Sequence, residues 1–92
     1  MTHIQRDQKK LLARISRIRG QVEAVERALS DGKDCGLVLQ TIAACRGAIN
    51  GLMSEVMEGH IRDHILDPAH EPTPTQQEAA EDMIDLIKSY LK

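Results

Sequence analysis

The sequence contains no Trp and no Phe, and only one Tyr, Tyr90. A mixed core normally leans on large aromatics. This chain has to build its interior from Leu, Ile, Val, Met and Ala, which suits interlocking helices. Cysteine is scarce too. Cys35 and Cys45 are too few for a disulfide framework. Ten residues apart on one helix, they would stand roughly 15 Å from each other, beyond the reach of a bridge. No unbroken apolar run approaches the length of about 18 residues that a membrane span needs. The first six residues hold no apolar signal segment, so export is not expected. Proline occurs three times, at 68, 72 and 74, and nowhere earlier. With 92 residues the chain is read as one domain, 1–92, of a reduced, cytoplasmic protein.

What is present is helical periodicity. Leu11, Ile15, Ile18, Val22, Val25 and Leu29 alternate spacings of four and three, a heptad seam that predicts a helix over about 4–30. Ser30-Asp31-Gly32-Lys33-Asp34 breaks the pattern, with Asp34 placed to cap the next helix. That second helix is expected over about 35–66, with the seam Val38, Ile42, Cys45, Ile49, Leu52 and Val56. The prolines end it. A third helix is expected over about 75–91, using Met83, Leu86, Ile87, Tyr90 and Leu91. Thr75-Gln76-Gln77-Glu78 reads as its capping box, and Thr73 competes if Pro74 is the first helical residue. The fold class is therefore all-α, a three-helix protomer. Its second helix, about 45 Å long, exceeds the roughly 25 Å width of a compact chain of this size. One short and one long helix cannot cover it, so oligomerisation through the second helix is expected. Ala43, Ala44, Gly47, Ala48 and Gly51 would allow close approach there.

Charge is distributed unevenly. Residues 1–20 hold Arg6, Lys9, Lys10, Arg14, Arg17 and Arg19 against Asp7 alone, a balance of +5. The remaining 72 residues carry six cations against thirteen carboxylates, a balance of −7. Arg6, Lys10, Arg14 and Arg17 fall within a stripe roughly 80° wide on the first helix. Such a stripe can follow phosphates, although most charge runs are solvated faces. The lack of aromatics disfavours single-stranded targets. No helix-turn-helix is evident.

Possible metal ligands are His3, Cys35, His60, His64 and His70. His60 and His64 are four residues apart and share a helix face. Cys35 lies about 37 Å from His60 along one straight helix, so the two cannot share an ion within a protomer. If two copies of the second helix pair antiparallel, Cys35 of one approaches His60 and His64 of the other. A tight turn at 30–34 folds residue 3 back to a position near 62. One thiolate and three imidazoles suit Ni(II), Co(II), Zn(II) or copper rather than Mg or Ca. His70 reads as solvated, and Cys45 as a small core residue.

Arg17-Ile18-Arg19-Gly20-Gln21-Val22 in the first helix, with Ile42-Ala43-Ala44-Cys45-Arg46-Gly47-Ala48-Ile49-Asn50-Gly51-Leu52-Met53 and Glu55-Val56 in the second, resembles the CsoR/RcnR/FrmR family of bacterial metal- and aldehyde-responsive repressors. The similarity runs through the whole chain and is greatest to the RcnR-like nickel/cobalt branch. The resemblance implies an antiparallel helical-bundle dimer assembling as a dimer of dimers, a homotetramer whose metal site is shared between protomers. It implies binding of double-stranded operator DNA by the metal-free form and release by Ni(II) or Co(II) to derepress an efflux gene. The family's four-position sensing pattern falls on His3, Cys35, His60 and His64. Copper and persulfide sensors carry Cys where this chain has His64. Formaldehyde sensors begin Met-Pro and usually have an acidic residue at that position, whereas this chain has Thr2 and His64. The resemblance also implies DNA contacts by Lys10, Arg14, Arg17 and Arg46, and metal binding by a backbone amine near the N-terminus. The alternatives are a formaldehyde-responsive repressor using Cys35, a zinc-responsive repressor, a storage bundle with no DNA role, and an enzyme. The enzyme is not expected, because no general base faces an open cleft.

Overall fold

The computed structural model describes residues 3–66 and 69–91, with the side chain of His3 and the residues Met1 and Thr2 outside the description. The elements among the described residues are α1 (His3–Arg6), α2 (Gln8–Ser30), α3 (Cys35–His60), a π-helical turn (Ile61–Ile65) and α4 (Pro74–Tyr90), with no strand. The all-α class expected from the seams is what the structure shows.

The helix boundaries differ from the periodic reading in three places. The expected first helix is divided at Asp7, whose φ of −99° and ψ of 11° interrupt the helix and whose side chain makes no cap hydrogen bond. The expected second helix is α-helical only to His60. From Ile61 the hydrogen bonding widens, and the Leu66 amide donates to the Ile61 carbonyl at 3.0 Å, five residues back. The expected cap Thr75 gives way to Thr73. Its hydroxyl accepts from the Gln76 amide at 3.1 Å, and the Gln76 side chain accepts from the Thr73 amide at 2.9 Å. Pro74 occupies the first helical position, where a missing N–H is harmless.

The turn that folds α2 back on α3 is a Schellman motif. Gly32 has φ +65°, a conformation that a side chain would strain. The Lys33 amide donates to the Ala28 carbonyl at 3.0 Å, and the Gly32 amide to that of Leu29 at 3.2 Å. Asp34 then caps α3 as expected, accepting from the Leu37 amide at 3.3 Å.

The best-buried cluster lies at the far end of the long hairpin. Ile61, Ala80 and Ile84 form it, with Leu66 and Ile87 packed alongside. Ile84, only 2% exposed, is the most buried of them. The sequence reading omitted Ile84 and gave weight to Met83, Leu86 and Tyr90, which are exposed. The face that docks α4 is Ala80–Ile84–Ile87, spaced four and three. Arg62 and Lys88 reinforce this end through Glu81 and Glu58.

Along the hairpin itself there is little interior. The chain measures 55 × 25 × 11 Å with a radius of gyration of 17.2 Å, against roughly 12 Å for a compact domain of this length. It is a slab one helix thick. Four of the six positions in each heptad seam are buried or half-buried, and Cys45 is buried there as expected. The other two in each seam are uncovered: Val22 is 51% and Leu29 63% exposed, and Ile42 and Ile49 are exposed beside them. Gly51 contacts Arg14 of its own chain, and a Cβ at Gly47 would meet nothing within 4 Å.

The stretch Cys35–Ile65 contains an 18-residue window of mean hydropathy 1.2, apolar and long enough to cross a membrane by length and composition alone. The expectation drawn from unbroken apolar runs is corrected on this point. Polar residues such as Gln40, Thr41 and Asn50 punctuate the stretch and lower its average, which the aliphatic residues around them still hold at 1.2.

Candidate functional site

The two histidines of α3 and its π turn come together as their spacing requires. The His60 and His64 rings lie with centroids 5.1 Å apart, tilted by 38°. Two imidazoles each about 2.1 Å from one ion bring their rings to roughly this separation, so the pair fits a shared transition metal. The thiol of Cys35 is exposed at the start of α3, about 37 Å of helix away. Accordingly, among the described residues no three His, Cys, Asp or Glu side chains gather around one point within the chain.

The start of the chain does fold back to this end. Ile4 lines the same apolar hollow as His60, Ile61 and Ile65. Arg6 reaches Asp63 at 2.9 Å, with the more exposed Asp7 at 3.6 Å on its other side. The contact with Asp63 raises the Arg6 guanidinium above its ordinary value, with Asp7 adding to it. Asp63 therefore anchors α1 to the turn that carries His64. The backbone of His3, at the first position of α1, belongs to this anchored segment. Its side chain, and the amine of the first residues, lie outside the described residues.

The basic stripe is organised differently from a free row of cations. Lys10 Nζ lies 3.2 Å from Glu55 Oε2, and Arg14 Nη2 lies 3.2 Å from Glu55 Oε1. Arg14 is stretched across Gly51, its Nη1 standing 3.0 Å from where a Cβ would be. Three of the four cations in the stripe, Arg6, Lys10 and Arg14, thus meet carboxylates of α3 and its π turn. Arg17 and Arg46 are exposed and form no ion pair among the described residues. Sequence reading missed the roles of Glu55 and Asp63. The signal was partly available in the hairpin itself: with the turn centred between residues 32 and 33, position 10 mirrors 55, while Arg14 mirrors Gly51 and Arg6 a position near 59, so each of these two reaches about one helical turn further along, to Glu55 and Asp63.

Comparison with known proteins places these features. The family model described as metal-sensitive transcriptional repressor matches residues 7–89. A Serratia marcescens chain, described as an uncharacterized protein in the bioA 5′ region, is 55% identical over 93 residues, covering all of both chains. The transcriptional repressor RcnR of Citrobacter koseri is 44% identical over 92 residues, again covering all of both. Among solved structures, a variant of the formaldehyde-responsive regulator FrmR from Salmonella enterica serovar Typhimurium matches with a TM-score of 0.63 and 47% identity, over 95% of this chain and 96% of that one.

Proposed function

The chain belongs to the family of metal-sensitive transcriptional repressors, and we propose that within it the protein responds to Ni(II) or Co(II), leaving operator DNA when the metal binds. The family is one of repressors and not of enzymes. Its members act on DNA, which also gives the uncovered apolar flank of α3 a use other than a membrane: packing against further copies. The single observation that carries the metal reading is the His60–His64 pair at 5.1 Å beside the anchored start of α1.

His60 and His64 supply two nitrogens, and His3 from the same chain a third. Cys35 of a second protomer, brought in by antiparallel pairing of α3, supplies the thiolate. This donor set suits nickel or cobalt, with zinc an alternative of the same chemistry. The assembly is a homotetramer, a dimer of dimers with the site shared between protomers, in the cytoplasm as one domain spanning 1–92. Lys10, Arg14, Arg17 and Arg46 contact the phosphates of double-stranded DNA. Holding His3 in the site fixes α1 three residues before Arg6, where the basic stripe begins. Metal and DNA then oppose each other reciprocally.

The likeness to the FrmR variant supports a second reading, in which exposed Cys35 responds to formaldehyde. Fluorescence anisotropy of the protein on DNA from its own upstream region, titrated with Ni(II), Co(II), Zn(II) and formaldehyde, separates them. Release by nickel or cobalt that is lost in His64→Ala is the expected result. His3→Leu should leave DNA affinity nearly intact and damp the metal response. DNA binding that ignores all three metals and yields to formaldehyde would sink the metal reading.

A further inference from the structure

Among the described residues, Glu55 is the one carboxylate that two candidate DNA-contacting cations share. Lys10 and Arg14 approach it from successive turns of α2, each at 3.2 Å, one to each carboxylate oxygen. The arrangement copies how two basic side chains grip a phosphate. Arg14 is held in a retracted position by it. Its side chain is 30% exposed, against 62% for Lys10, and it lies over the bare backbone of Gly51, where any side chain would crowd it. To reach a phosphate outside the slab, Arg14 has to leave that bed and Glu55 has to give it up.

We propose that Glu55 is an internal stand-in for DNA phosphate, masking Lys10 and Arg14 in the arrangement seen here, and that DNA binding proceeds by exchange of Glu55 for phosphate at these two cations. The inference rests on the reading of Lys10 and Arg14 as DNA contacts. Three consequences follow. The net charge that these three residues offer to DNA is one unit while masked. Arg17 and Arg46, which have no such partner among the described residues, engage DNA without a competing step. And any signal that favours the masked pairs weakens DNA binding without touching DNA.

The test is a binding and salt-titration series by fluorescence anisotropy on the full-length protein. The variants are Glu55→Gln, Lys10→Ala with Arg14→Ala, and the triple combination. Glu58→Gln serves as the control, since Glu58 meets Arg62 and Lys88 and neither of the masked cations. Removing the competition of part-exposed ion pairs should tighten DNA binding by about fivefold per engaged protomer. It should also steepen the dependence of log affinity on log salt by about one per protomer, because the freed cations release more counterions. Glu58→Gln should do neither. The gain from Glu55→Gln should vanish when Lys10 and Arg14 are already alanine. A gain that persists in that background would be general charge relief and would overturn masking. Weaker binding of Glu55→Gln, alongside a loss in Lys10→Ala/Arg14→Ala, would make Glu55 a positioning residue and also overturn masking. If Lys10→Ala/Arg14→Ala binds DNA like the wild type, it is the underlying assignment of these cations to DNA that fails. Should Glu55→Gln lose its helical circular dichroism, Glu55→Asp takes its place. The shorter side chain withdraws from both cations and should give a smaller gain of the same sign, and no gain from it overturns the proposal.

Discussion

Gly51→Ala places two physical effects in opposition, and the structure says which wins. A glycine in the middle of an exposed helix costs about 0.8–1 kcal/mol relative to alanine, so the substitution stabilises α3 by that amount if nothing obstructs it. The obstruction is Arg14 Nη1, 3.0 Å from the new methyl carbon. That atom is the tip of a long flexible side chain and can move. What it gives up is the contact with Glu55, between side chains 30% and 28% exposed, worth at most about 1 kcal/mol. The expected result is a protein between unchanged and about 1 kcal/mol more stable, with the Arg14 guanidinium pushed outward. Urea unfolding followed by far-UV circular dichroism, at one fixed protein concentration, gives the stability. The same sample should bind DNA a few-fold more tightly if Arg14 is a DNA contact. A loss of stability greater than about 1 kcal/mol would refute the reasoning. It would mean that something less yielding than an arginine tip rests on Gly51, such as the backbone of another protomer.

Other outcomes follow from the packing and the caps. Ile84→Ala empties the best-buried position of the small core and should cost about 2–4 kcal/mol, with hydrogen exchange showing the amides of α4 exposed before those of α2 and α3. Thr73→Ala removes one arm of the capping box and should cost about 1 kcal/mol in thermal or urea unfolding, while Thr73→Ser should restore most of it. Cys45→Val fills a buried apolar position and should change stability by less than about 1.5 kcal/mol while leaving the metal response of DNA binding in place, and Cys35→Ser should abolish that response with little change in stability.

The sequence was most legible where one element decides its own structure. Asp34 caps α3 and Gly32 turns the chain because the local backbone needs those residues, and no distant contact is involved. The heptad seams announced helices correctly, yet they could not say which positions of each seam this chain covers. Val25 and Cys45 pack within the hairpin while Val22, Ile42 and Ile49 remain outside. Covered and uncovered positions look alike to a periodic count, because they are equally apolar. Ile84 differs for another reason: Met83, Leu86 and Tyr90 also recur at helical spacing, and periodicity alone does not choose between their exposed face and the docking face of Ala80, Ile84 and Ile87. The π turn left no signature, since Ile61–Ile65 would suit an ordinary helix and only the hydrogen-bond register differs. At the site, the shared face of His60 and His64 followed from their spacing alone. The pairing of Lys10 and Arg14 with Glu55 needed the fold-back register, which a row of like charges on one helix does not contain.

A body 11 Å thick makes abundance a physical variable for this regulator. Under the proposed assembly, in which other copies close the apolar flank, part of the folding free energy would be supplied by association, and stability would rise with the logarithm of concentration. A fall in protein concentration would then remove repressor twice, once as molecules and once as the folded fraction of those that remain. Thresholds for derepression would shift with growth rate even at constant metal, through mass action on the fold itself.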